Sequence, residues 1–405
     1  MVEFVDGGVC AAKGFKASGI YAGFRKNPGK RDLSLIYSDV NAACAGVYTT
    51  NKVKGAPIAV TKEHISDGYA RCIITNSGNA NTCAPNGEQV AKETCSLLAD
   101  ELGIDAFDVA VCSTGVIGEE LDIEPFKTGI PELVATLRVD GSEDCNEGIM
   151  TTDTKKKSVA VKTEIGGCEC VIGGIAKGSG MINPNMATML AFVTTDVNIS
   201  PLMLQKAVKS DVVESFNQIC VDGDTSTNDT FLVMANGQAG NSIIEEEGKD
   251  FDDFKAALSE VTKKLAKMMA GDGEGASKTI TCEVKGASSD ELARKISKTV
   301  ISSNLLKAAI FGSDANWGRV LCAIGYTEGD FDASKIDVSM SSKKGEVTVC
   351  KGSRYAPHDE DEANNILNEE DILVSIDMND GEGKASAWGC DLTYEYVRIN
   401  GEYRS

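Results

Sequence analysis

Histidine is almost missing from this chain: His64 and His358 are the only two among 405 residues, and neither lies in a His-Glu-x-x-His context. That disfavours a zinc site and leaves little material for a Ser-His-Asp machine. No Cys-x-x-Cys pair occurs either. The 14 cysteines are scattered, with Cys168 and Cys170 the tightest spacing, so reduced and mostly buried thiols are expected, and no metal ligands. Positive charge is short, 40 Lys and Arg against 61 Asp and Glu, a formal −21. Phosphate-binding surfaces need clustered cations, so nucleic acid and anionic membrane are disfavoured as partners. No apolar run approaches the roughly 18 residues of a membrane helix. Residues 1–6 show no basic segment ahead of an apolar one, so no signal peptide is expected and a cytoplasmic location is. Proline is scarce at 8 while glycine reaches 41, which points to many tight turns and no proline-rich linker.

The length suggests two domains, or three. Short strand-like pieces occur at 33–37 and 58–60, and 71–75 reads as a strand running into the polar loop 76–81. Val90, Thr94, Leu97 and Leu98 fall at helical spacing, ending near Gly103. A buried strand at 109–112 and a helix over 125–137 follow. Residues 158–164 and 168–175, split by Gly166-Gly167, form a hairpin. Ser200 caps a helix over 201–216 with Pro201 in its first turn, and an amphipathic helix covers 251–269. Strands at 231–235 and 279–285 and a helix at 290–302 complete this part. From Ile336 onward strands dominate, among them 347–350, 372–377 and 385–399, the last alternating through Tyr394-Glu395-Tyr396-Val397-Arg398-Ile399. These elements alternate too irregularly for a doubly wound sheet. The expected fold is α+β, with mixed sheets layered between helices in an αββα-like sandwich.

The most informative stretch runs from Lys177-Gly178-Ser179-Gly180 through Asn183-Pro184-Asn185-Met186-Ala187 to Thr188-Met189-Leu190-Ala191-Phe192-Val193. Up to Ala187 it is loop material, with Pro184 biasing Asn183 toward extended backbone. From Thr188 it becomes a short apolar run bounded by polar residues, the pattern of a buried strand. A hydroxyl residue thus stands where a severable loop meets a rigid strand. An N-terminal nucleophile requires that position, although threonine at a strand start is usually unremarkable. A glycine-rich decoy lies at 271–279. It lacks the Gly before Lys278 of a phosphate loop, carries Asp272 and Glu274, and leads into a strand, so a nucleotide site there is disfavoured.

Together the spaced motifs resemble the ornithine acetyltransferase family, the glutamate N-acetyltransferases of arginine biosynthesis. The matching pieces are 113–118 (Ser-Thr-Gly-Val-Ile-Gly), 150–154 (Met-Thr-Thr-Asp-Thr), 177–190, 222–229 (Asp-Gly-Asp-Thr-Ser-Thr-Asn-Asp), 272–275, 314–319 and 399–403. They span almost the whole chain in the family's order. Ser313 departs from the pattern, where a larger residue is expected, and Ser405 ends the chain where relatives often have Thr.

The resemblance implies a precursor that cuts itself between Ala187 and Thr188, giving an α chain of residues 1–187 and a β chain of 188–405, the latter with a second α/β subdomain from about residue 286. Thr188 would then be the nucleophile, with its own freed α-amine as base, so no catalytic histidine is needed. It further implies ping-pong transfer of acetyl from N-acetylornithine to glutamate. Thr114 and Gly115 would stabilise the oxyanion, and Thr151, Lys177, Thr188, Glu274, Asn400 and Ser405 would contact substrate. Lys177 suits a carboxylate and Glu274 an ammonium; both are expected in glycine-rich loops, and Thr152 rivals Thr151 for its role. No metal and no cofactor are expected. Whether acetyl-CoA also donates stays open, and an (αβ)2 assembly follows family precedent. Three other classes remain in view: a self-cleaving amidase or aminopeptidase using water as acceptor, a kinase built on 271–279, and a non-catalytic binding protein.

Overall fold

A computed structural model describes residues 2–183 and 189–402. Its organising feature is a nine-stranded mixed sheet. In spatial order it runs Glu3–Val5, Lys157–Ile165, Cys168–Lys177, Leu190–Thr195, Thr230–Ala235, Leu33–Tyr48, Tyr69–Asn79 and Val109–Val116, with Phe15–Ile20 added beside Leu33–Tyr48. The long strand Leu33–Tyr48 changes register between Tyr37 and Ala42, which lets one sheet serve as two facing halves.

Side-chain alternation shows the layering. On Leu190–Thr195, Leu190 and Phe192 face the core between the halves, whereas Ala191 and Val193 face the helices Pro201–Glu214 and Lys249–Gly271. On the other half, Ile73, Ala110 and Cys112 join the inner core. Their neighbours Cys72, Ile74, Val109 and Val111 pack with the helices Gly87–Leu102 and Glu124–Ala135. Helix, sheet, sheet, helix: the expected sandwich is present.

A second, seven-stranded sheet runs Arg354–Tyr355, Gly345–Lys351, Asp337–Ser342, Asp371–Asp377, Thr279–Ala287, Gly383–Cys390, Ile219–Cys220. The helices Asp290–Ser302, Asn304–Phe311, Trp317–Gly325 and Glu360–Leu367 contribute to its core, in which Ile280, Val284, Ile296, Val300, Val338 and Val374 meet. No described helix is long and apolar enough to cross a membrane.

Local chemistry explains most element boundaries. Ser200 accepts a hydrogen bond from the Met203 N–H at 3.4 Å, satisfying a donor the helix leaves open. Gly103 closes its helix in the left-handed conformation. At the tip between Lys157–Ile165 and Cys168–Lys177, Gly166 and Gly167 both have positive φ, +59° and +77°, as a two-residue hairpin of this kind demands. All 14 cysteines are free, ten of them buried.

Two expectations fail. Residues 58–60 belong to the helix Ala56–His64, whose buried Pro57, Ile58, Val60, Thr61 and His64 follow helical spacing; three residues are too short a window to separate period 2 from period 3.6. Residues 394–399 form the helix Tyr394–Glu402. The apparent alternation there is not a burial pattern, since Tyr394 and Val397 are 83% and 68% exposed. Thr393 Oγ1 accepts from the Tyr396 N–H at 3.4 Å, and Arg398 reaches Glu395 at 2.6 Å and Glu402 at 3.5 Å, a cap and helical-spacing ion pairs that favour the helix.

Candidate active site

The ends of three adjacent strands lie at one level of the sheet. Lys177, the last residue of its strand, pairs with Leu190, the first of the next, and Leu190 pairs with Thr230, the first of the third. Lys177 therefore ends a strand and is not in a glycine-rich loop, as the sequence suggested; only Gly178 and Gly180 beyond it are loop. From the other half of the sandwich, Ser77 pairs with Thr114 and Gly78 with Gly115. Gly115 has φ +134°, and a Cβ there would lie 2.3 Å from the Gly78 carbonyl carbon, so only glycine admits this approach.

These ends frame one pocket, lined by Thr114, Gly115, Thr151, Thr152, Lys177, Met189, Leu190, Asp229, Glu274 and Asn400, among others. Six residues expected from sequence thus converge from five separate segments. Ala187, Thr188 and Ser405 lie outside the described residues; the described chain resumes at Met189, on the pocket wall. A larger hollow on the open face of the seven-stranded sheet, lined by Glu283, Lys285, Asp337 and Asp377 among others, holds none of the expected site residues. His64 is buried with its ring bonded to the Val109 carbonyl, and neither histidine lines the pocket framed by the strand ends.

Polar geometry inside the pocket is specific. Lys177 Nζ lies 3.2 Å from Thr114 Oγ1. Burial pulls the Lys177 ammonium below the ordinary lysine range, with the carboxylates of Asp153 and Asp229 opposing. Thr152 commits its hydroxyl to Ser179 Oγ at 2.7 Å. The Thr151 hydroxyl has no partner among the described residues and lines the same pocket, which favours Thr151 as the ligand contact. Asn400 Nδ2 donates to Glu274 Oε2 at 2.8 Å, bringing the C-terminal helix onto the acidic end.

Sequence reasoning missed the supporting residues. Asn228 donates to the Ser113 carbonyl at 3.0 Å and to the Ala80 carbonyl at 2.5 Å, while its Oδ1 accepts from the hydroxyls of Thr82 and Thr227. It staples the Thr114 strand end to the loop before Thr230. The Asp222 carboxylate accepts the N–H groups of Met181 and Ile182 at 2.6 and 2.8 Å, and Thr225 Oγ1 donates to the Asn183 carbonyl at 3.0 Å. Loop 222–225 thereby holds the segment that runs into the expected cleavage junction. Both loops lie in the motif 222–229, which was the only available signal.

Known proteins bear on this site. A model of the ArgJ family matches residues 16–405. The arginine biosynthesis bifunctional protein ArgJ of Caldanaerobacter subterraneus subsp. tengcongensis is 47% identical over 405 residues, covering all of both chains. Its counterpart in Symbiobacterium thermophilum is 46% identical over 406 residues, again covering all of both. The crystal structure of ArgJ from Bacillus halodurans is 46% identical, with a TM-score of 0.51, and covers 53% of this chain and 100% of its own.

Proposed function

The chain belongs to the ArgJ family, and from that premise we propose that it transfers acetyl from N2-acetylornithine to glutamate through an ester on Thr188. The observation that carries the reading is the convergence of Thr114, Gly115, Thr151, Lys177, Glu274 and Asn400 on one pocket whose wall includes Met189, next in sequence to Thr188.

The chemistry starts with self-cleavage. The Thr188 hydroxyl adds to the Ala187 carbonyl, the acyl group moves from nitrogen to oxygen, and water hydrolyses the resulting ester. This frees the Thr188 α-amine, whose pKa of about 8 in model compounds suits a general base near neutrality.

In turnover the amine takes the hydroxyl proton as Thr188 attacks the acetyl carbonyl of acetylornithine, then passes it to the departing amine of ornithine. Glutamate repeats the sequence in reverse and leaves as N-acetylglutamate. Thr114 Oγ1 and the Gly115 N–H receive the oxyanion. Lys177 pairs the substrate α-carboxylate and Glu274 the ornithine ammonium. No cofactor enters, because nucleophile and base belong to one residue; acetyl-CoA as donor would load the same hydroxyl.

Supplying acetylornithine with and without glutamate tests the acceptor. Acetylglutamate should form in step with ornithine; free acetate as the main product in the presence of glutamate would instead identify an amidase. The two pieces should also stay together after the cut. Strands Leu190–Thr195 and Thr230–Ala235 lie between Cys168–Lys177 and Leu33–Tyr48 in one sheet, so separation would expose a large core. Gel filtration without denaturant should give one species containing both pieces, and only denaturant should part them.

A further inference from the structure

Behind the pocket lies a group of charges that does not line it. Lys157 is fully buried, its Nζ 2.6 Å from Asp153 Oδ1 and 2.6 Å from Asp272 Oδ2, with both carboxylates shielded from solvent. Three charges removed from water carry a heavy desolvation cost that good geometry must offset. Apart from the Thr154 hydroxyl, which donates to Asp272, their remaining hydrogen bonds fall on backbone near the pocket. Asp153 accepts the Thr151 N–H at 3.0 Å and the Gly178 N–H at 2.7 Å, one residue from Lys177. Asp272 accepts the N–H groups of Thr154 and Lys155 at 3.1 and 3.2 Å, and stands two residues before Glu274. The Glu274 N–H itself donates to the Ser179 carbonyl at 2.8 Å.

We propose that Asp153, Lys157 and Asp272 form a positioning triad that fixes Thr151, Lys177 and Glu274 around the substrate, with the Asp153 carboxylate as the counter-charge of Lys177. This rests on Lys177 being the substrate-carboxylate contact of the proposed function. The charges acting on Lys177 are Asp153 and Asp229 on the negative side and Lys157 and Arg25 on the positive. Burial alone would raise the Asp153 carboxyl, but Lys157, Lys177 and the Gly178 N–H outweigh it and hold it at about 2. Asp153 therefore stays charged at every working pH and opposes the loss of the Lys177 proton that burial favours.

Asp153→Asn keeps the shape and removes that negative charge. Without it Lys177 gives up its proton at lower pH, so the alkaline limb of kcat/KM should move acidward, and KM for acetylornithine and for glutamate should rise about tenfold. The variant Asp153→Asn/Lys157→Met also removes a positive charge that acts on Lys177, so its acidward shift should be smaller while KM still rises. A purely structural triad would lower Tm and the yield of cut protein while leaving KM and the pH limb of the folded fraction unchanged; that result overturns the proposal. Lys177→Met separates the two readings. If it raises KM while both Asp153 variants leave KM and pH limb in place, the positioning role alone fails. If Lys177→Met leaves KM unmoved, the substrate role of Lys177 fails, and with it the purpose assigned to the triad.

Discussion

Replacing Thr188 with alanine leaves the 405-residue chain in one piece and reduces acetyl transfer to background, a loss of roughly 10⁶-fold if it matches removal of the nucleophile from a serine triad. Two losses coincide. Alanine has no hydroxyl to attack the Ala187 carbonyl, so the α-amine never becomes free, and no oxygen remains to carry acetyl. Thr188→Ser retains hydroxyl and amine, and should still cut itself and transfer acetyl at a reduced rate. Denaturing electrophoresis reads the first effect and an acetylglutamate assay the second. A Thr188→Ala protein with appreciable transfer would place the nucleophile elsewhere.

Thr114→Ala should slow both self-cleavage and transfer by about 10²–10³-fold, because both pass through a tetrahedral oxyanion and one donor is removed. The side chain is small, lies at a strand end and touches Lys177 through its hydroxyl at 3.2 Å, so the fold should persist; circular dichroism and Tm verify that. Thr114→Ser restores the donor and should restore both rates. A Thr114→Ala variant slowed in transfer but cutting normally would limit Thr114 to substrate binding.

Much of this was legible because the signals are local. Leu190-Ala191-Phe192-Val193 reads as a strand buried on both faces, and the structure divides its side chains between two cores. Gly166-Gly167 announced a hairpin, and Ser200-Pro201 a helix start. The α+β sandwich followed from irregular alternation of such elements. Residues 394–399 misled because six residues of alternating type satisfy the strand template, while the ion pairs of Arg398 that favour helix are not visible in a period-2 count.

The supporting shell was illegible for a different reason. Lys157 follows Lys155 and Lys156 and looks like one of three solvated charges, yet its partner Asp272 is 115 positions away. Asn228 reaches Ser113 across a similar gap. Such pairs arise only when the sheet brings remote segments together. Thr114, Gly115, Lys177 and Glu274 came from a resemblance, and the chain's own chemistry shows why they belong together: an amide donor, a hydroxyl, a cation and an anion around one small pocket.

The most direct test is intact-mass spectrometry of active enzyme quenched after exposure to acetylornithine. The account predicts two polypeptides, residues 1–187 and 188–405, with the second beginning at Thr188 and heavier by one acetyl group that addition of glutamate removes. A single uncut chain with full activity, or an acetyl group held on any residue but Thr188, would contradict it.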